Sequence, residues 1–112
     1  MPEEKEIDID YFKKIRLVVG KVVSAESIEN SNKLMKIRVS LGDREKTILA
    51  GIKNSYKPEE LTGKKIIIID NIKHAKLMGL ESEGMLLAAS DGEGNLSLLT
   101  VDNDIKEGSY VS

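Results

Sequence analysis

A chain of 112 residues, 40% hydrophobic and 32% charged, has the length and composition of one soluble globular domain with a modest core. Apolar runs such as Ile66–Ile69 fall far short of the ~20 residues that cross a membrane. The absence of Cys excludes disulfides and thiolate chemistry, points to a reducing, cytoplasmic setting, and with a single His argues against a zinc site.

Asp10–Ile15 reads as one helical turn with Asp8 or Asp10 as N-cap, after an acidic Met-Pro-Glu-Glu start unlike a targeting peptide. Ile15–Ile28 is rich in β-branched residues, and Gly20 inside it predicts a bulge or bend. Glu29–Asn32 is a turn cluster. Leu34–Leu41 alternates, with Met35, Ile37, Val39 and Leu41 on one face and Lys36, Arg38 and Ser40 on the other. Gly42–Glu45 makes a hairpin turn back into a strand over Lys46–Ala50. Pro58-Glu59-Glu60-Leu61 opens a short helix that Thr62-Gly63 ends. Lys64–Ile72 is the most apolar strand, Lys73–Glu83 a polar loop without periodicity, and Gly84–Ser90 a further strand. Asp91–Asn95 is a turn, Leu96–Val101 another strand, and Ser109–Val111 a short last one.

This order predicts an all-β chain: an OB-fold, a five-stranded Greek-key barrel with a short helix between strands three and four. A single domain spans residues 1–112. Its barrel core covers about residues 13–90, and residues 1–12 and 91–112 are terminal extensions.

The net charge of −2 conceals a segregation. Residues 13–76 carry 15 Lys/Arg against 7 Asp/Glu, whereas the remainder carries 2 Lys against 12 acids. A basic face on an acidic body suits a polyanion partner.

No catalytic residue is expected. His74 is a solvated loop residue, and Ser82 and Ser90 lack a second His to activate them. Asp91–Asn95 and Asp102-Asn103-Asp104 are turns without the full spacing of a calcium loop, and no phosphate-loop motif occurs. No metal or other cofactor is expected.

Binding has more support. Lys36 and Arg38 lie two strand steps apart, about 6.6 Å and comparable to successive phosphates. Lys33 precedes them, Lys53 and Lys57 follow strand three, and Lys73 and Lys76 occupy the loop before strand five. Those strands and loops form the usual oligonucleotide face of an OB barrel. Of the four aromatics, Tyr11, Phe12, Tyr56 and Tyr110, only Tyr56 falls near it. Single strands stack on several aromatics. A basic face without them suits folded RNA read by backbone and shape. Lys33, Lys36, Arg38, Lys53, Lys73 and Lys76 would neutralise phosphates, and Ser82 would donate to a phosphate or 2′-OH. Gly84 permits close backbone approach. Met85 is either core or an apolar RNA contact.

Ser82-Glu83-Gly84-Met85 followed by Leu-Leu-Ala-Ala-Ser carries a family resemblance, supported by Ile15–Val22, Ser31–Ile37, Ala50–Tyr56 and Ala75–Gly79. These segments resemble the tRNA-binding domain found at the C-terminus of many methionyl-tRNA synthetases. The same domain occurs in stand-alone dimeric tRNA-binding proteins and in the synthetase cofactor that yields endothelial monocyte-activating polypeptide II. The resemblance covers roughly residues 7–112.

It implies an OB barrel whose extensions form a homodimer, and tRNA binding with little sequence preference and no catalysis. It also implies a separate β-subunit of methionyl-tRNA synthetase, or a trans-acting protein, with the catalytic chain as a partner. Lys33, Lys36, Arg38, Lys53, Lys76, Ser82 and Met85 match the family's binding positions. Ala75 and Met78 stand where Arg is common, with Lys73 the nearest replacement charge. The alternative is a dimeric OB-fold peptide-binding chaperone of the export-related type. Those relatives lack the Gly-Met pair, so Gly84-Met85 favours tRNA.

Overall fold

The alternation over residues 35–41 becomes one wall of a barrel. In the computed structural model, which describes residues 5–112, Met35, Ile37, Val39 and Leu41 are buried, and Lys36, Arg38 and Ser40 face outward. The acidic Met1–Glu4 start lies outside the described residues.

A short helix, α1 (Ile9–Phe12), precedes a long strand, β1 (Leu17–Ser27). The Asp8 carbonyl accepts the amides of Tyr11 and Phe12. β2 (Met35–Ser40) and β3 (Glu45–Ala50) form a hairpin, and α2 (Pro58–Leu61) leads to β4 (Lys65–Ile69). Glu60 accepts the Lys57 amide at 2.7 Å, closing the first turn of α2. Leu61, fully buried, anchors this helix in the core cluster. β5 (Ala75–Leu77) and β6 (Leu80–Ser82) make a separate two-stranded ribbon. β7 (Met85–Leu86) returns to β4, β8 (Ala88–Ser90) pairs with β9 (Leu96–Leu98), and β10 (Tyr110–Val111) adds to β1.

The main sheet runs β3-β2-β1-β4-β7, with β10 beside β1. It curls until β3 meets the end of β6 and the residue that follows it. There Glu83 N–H donates to Thr47 O at 2.8 Å, and the Leu49 amide donates to the Ser82 hydroxyl at 3.0 Å. The result is a nearly closed five-stranded barrel, the expected OB architecture. Its interior holds Val18, Val22, Ile37, Val39, Ile48, Leu61, Ile66, Ile68 and Leu86. Each such aliphatic side chain contributes about 1.5–3 kcal/mol when fully buried.

Four expectations change. The bulge in β1 lies between Val22 and Ser24, not at Gly20. Gly20 instead answers a packing demand, because a Cβ there would overlap Val39 Cγ1. The polar loop predicted over residues 73–83 contains the β5–β6 hairpin. Its turn, Met78-Gly79, has φ of 51° and 79°, both positive as a type I′ turn requires. The strand predicted over Gly84–Ser90 divides at Leu87, where the chain leaves β4 to pair with β9. The strands predicted over 64–72 and 96–101 shorten to Lys65–Ile69 and Leu96–Leu98.

Candidate nucleic-acid interface

Cross-strand register assembles the outer face of β1–β3. Ser24, Arg38 and Thr47 form one row, and Glu26, Lys36 and Leu49 the next. Arg38 Nε donates to Glu45 Oε1 at 3.0 Å, and its Nη1 donates to the Thr47 hydroxyl at 2.7 Å. Lys36 Nζ stands 3.8 Å from Glu26 Oε1. These pairs are solvent-exposed, and such pairs contribute about 0–1 kcal/mol. A phosphate can therefore replace either carboxylate at little cost, while Thr47 keeps the guanidinium aimed.

The loop between β1 and β2 presents Lys33, which is exposed. Lys53 sits behind it and is bonded to that loop. Its ammonium donates to Ser31 O at 2.7 Å and Ile28 O at 3.3 Å, and its amide donates to Lys33 O at 3.0 Å. Lys53 thus staples the loop that carries Lys33, leaving its charge half-buried.

The ribbon lies along the outer edge of β3, because Ser82 at its base bonds to Leu49. Lys73 precedes β5, and Lys76 lies within it opposite Glu81; both lysines are exposed. His74 Nδ1 and Glu81 Oε2 are 2.9 Å apart, so His74 is not simply a solvated residue. With Glu83, these two bring candidate metal-ligand atoms within 4.8 Å of one another. One Glu83 oxygen already accepts the Thr47 amide at 2.7 Å.

The Ser82–Met85 segment closes the barrel. Ser82 is buried, and besides accepting from Leu49 its hydroxyl donates to Gly84 O at 3.1 Å. A hydroxyl has one proton to donate. In this structure that proton is used inside the clasp, where it reaches Gly84 O. A Cβ at Gly84 would stand 3.0 Å from Ile69 O, so the glycine lets β7 approach β4. Met85 points outward and is 44% exposed, which settles the choice between core and surface. Tyr56 packs on the core, and its hydroxyl accepts the Leu98 amide at 3.1 Å. It offers no free stacking platform.

One cluster was not foreseen from the sequence. Asp70, its side chain 1% exposed, receives Lys46 Nζ at 2.6 Å and Arg44 Nη2 at 2.6 Å, with Arg16 Nη1 at 3.6 Å. Burial raises the Asp70 pKa, but hydrogen bonds from Arg44 and Lys46 and their charges outweigh it, and the pKa falls to about 2. Arg44 is raised in turn, mainly by its hydrogen bond to Asp70. Lys46 also donates to Glu83 O at 3.2 Å, joining this cluster to the clasp. The sequence signal is faint: one acid ending an isoleucine run.

The acidic turn at Asp91 behaves as a turn. Its carboxylate accepts from the Asn95 side-chain amide and the Glu93 backbone amide, which hold its pKa below the ordinary value. Among the described residues, no helix is long and apolar enough to cross a membrane.

Residues 17–110 match the family model described as "Putative tRNA binding domain". The methionine–tRNA ligase of Methanocaldococcus jannaschii is 61% identical over 107 residues, covering 96% of this chain and 16% of that protein. The Thermotoga maritima enzyme of the same name is 50% identical over 110 residues, covering 98% of this chain and 17% of that protein. The chain spans roughly a sixth of the length of these relatives. Among solved structures, a MetRS related protein from Pyrococcus horikoshii superposes with a TM-score of 0.92 at 39% identity, covering 97% of this chain and 100% of that one. A CsaA chaperone protein from Picrophilus torridus superposes with a TM-score of 0.86 at 31% identity, covering 96% and 100%. The match over nearly the whole barrel, with the clasp and basic outer face it contains, shows that this chain belongs to the tRNA-binding domain family.

Proposed function

We propose that this chain binds folded tRNA without catalysing a reaction, reading backbone and shape with little preference among tRNAs. The observation that carries the reading is the outer face of β2, where Lys36 and Arg38 stand on one side of a rigid strand. Lys33 flanks them on one loop, and Lys73 and Lys76 on the ribbon bordering β3. Cations on a framework position a phosphate chain, and the lack of exposed aromatics on this face disfavours single strands. Met85 adds an apolar contact.

The proposed assembly is a homodimer. Ile7, Ile9, Ile105 and Tyr110 in the terminal extensions are exposed, more apolar surface than the small barrel covers. A methionyl-tRNA synthetase catalytic chain is the proposed partner, because the curated relatives carry this domain within a ligase. The module would raise the local tRNA concentration near that chain.

The test is competition among an unmodified tRNA transcript, an unfolded peptide and a single-stranded DNA of matched charge, with light scattering on the free protein. Preferential tRNA binding by a dimer is expected. Preference for the peptide would favour the chaperone reading, and a monomer at micromolar concentration would remove the dimer.

A further inference from the structure

The β5–β6 ribbon presents an apolar tip on a basic arm. All three residues of β5 are exposed, and β5 pairs with β6 alone, so β6 borders β3 while β5 and the tip of the arm face solvent. At its end Leu77 and Met78 are 39% and 53% exposed. Lys76 lies within β5 beside this tip, and Lys73 just before that strand.

Met78 is also in an unfavourable backbone state. Its φ is 51°, and among the described residues it is the one non-glycine residue with positive φ. An L-residue with a long side chain resists this region, because its Cβ crowds the carbonyl. Asn followed by Gly makes the same two-residue turn more readily. Gly79 already occupies the second turn position. Neither the turn nor the core calls for methionine here. Strain and exposed apolar surface at one residue are each costly to a fold, and both cluster where a protein touches a ligand.

We infer that Met78, supported by Leu77, is an apolar wedge that contacts the face of an unstacked base in folded RNA, with Lys73 and Lys76 holding the adjoining phosphates. This rests on the tRNA-binding reading and deepens it. The charge of the arm selects the occupant, since two lysines beside the tip favour a polyanion over an apolar peptide. Folded RNAs offer bases splayed from loops and turns, which a continuous duplex does not. Met and Leu side chains wedge between base steps of duplex DNA only by paying to unstack them, a cost that a base already splayed from its stack does not impose. The contact also supplies a preference for folded RNA over duplex that phosphate neutralisation alone lacks.

The experiment measures binding of the full chain to an unmodified tRNA transcript and to a fully paired RNA duplex with the same number of phosphates, at several salt concentrations. Met78→Asn creates an Asn-Gly turn, so its melting temperature is expected to rise by about 2 °C or more. Its tRNA affinity is expected to fall about tenfold, with the salt slope and duplex affinity unchanged. Met78→Lys is expected to lose the preference for tRNA over duplex while steepening the salt slope by about one unit. The proposal is overturned if Met78→Asn binds tRNA within about twofold of the parent while Lys36→Ala binds it weakly. In that case tRNA binding stands and the wedge does not. Equal losses on tRNA and duplex, or a lower melting temperature for Met78→Asn, would also overturn it. A parent protein that binds neither RNA removes the tRNA reading itself.

Discussion

The Leu49 amide and the Gly84 carbonyl are joined through one hydroxyl: Leu49 donates to Ser82 Oγ at 3.0 Å, and Ser82 Oγ donates to Gly84 O at 3.1 Å. This relay replaces regular strand pairing where β3 meets the returning chain. A motif that resembles a binding signature is thereby a closure for the barrel.

Ser82→Ala is accordingly expected to act on stability. It leaves the buried Leu49 amide without a partner, at a cost of about 1–3 kcal/mol. Thermal unfolding should shift down by several degrees per kcal/mol, while tRNA affinity well below the transition stays close to that of the parent. Lost affinity with an unchanged melting temperature would mean that Ser82 touches RNA after all.

Asp70 predicts an acid-side loss of stability. Its folded pKa of about 2 lies below its ordinary 3.8. The folded state therefore favours the ionised form. The stabilisation is fully present above the unfolded pKa and is lost as pH falls through the window from 3.8 to about 2. A shift of this size corresponds to roughly 2 kcal/mol. Denaturant unfolding of the parent should weaken across this window, and Asp70→Asn should show a shallower dependence from a lower starting stability. Identical pH profiles would remove the ion cluster as the cause.

Glu45 holds Arg38 Nε at 3.0 Å, so under the proposed reading it would compete with phosphate for that guanidinium. Glu45→Gln should tighten tRNA binding by about two- to fivefold and steepen its salt dependence. Arg38→Ala should weaken binding to all tRNAs alike and flatten the salt slope by about one unit, with a stability change under about 1 kcal/mol. If Glu45→Gln weakens binding, the carboxylate is orienting Arg38 rather than competing for it.

Met85, 44% exposed beside Ile69, allows the proposed apolar contribution to be tested apart from the ionic one. Met85→Ala should leave the melting temperature within a few degrees of the parent, lower tRNA affinity, and leave the salt slope unchanged because no charge is removed. A loss of about 2–5 kcal/mol in stability would instead mark a buried side chain.

Local pattern and nonlocal contact divide what the sequence made legible. The β2 wall was readable because Met35, Ile37 and Val39 alternate with Lys36 and Arg38, and strand periodicity is local. The short helix was readable from Pro58 and the two glutamates after it. The ribbon was hidden because its turn is Met78-Gly79, without the Asn or Asp that usually announces positive φ. The β1 bulge escaped because Gly20 is the obvious punctuation there, yet that glycine exists for Val39 packing. In the site, Lys36 and Arg38 could be placed from strand alternation alone. The roles of Lys53 and Ser82 could not, since their partners Ile28, Ser31 and Leu49 lie 22 to 33 residues away in sequence. Asp70 was illegible for the same reason: Arg44 reaches it from the turn between β2 and β3, and Lys46 from β3.

On the proposed reading, exposed cations on β2, its flanking loop and the ribbon hold the phosphates of folded tRNA. The most direct measurement is the dependence of tRNA affinity on salt, plotted log–log, for several tRNAs of different sequence. With Lys33, Lys36, Arg38, Lys73 and Lys76 as the contacts, the slope should lie near about −4, at roughly −0.7 to −0.9 per phosphate, and be shared by all tRNAs. A flat response, or a preference of more than about a hundredfold for one tRNA, would contradict it.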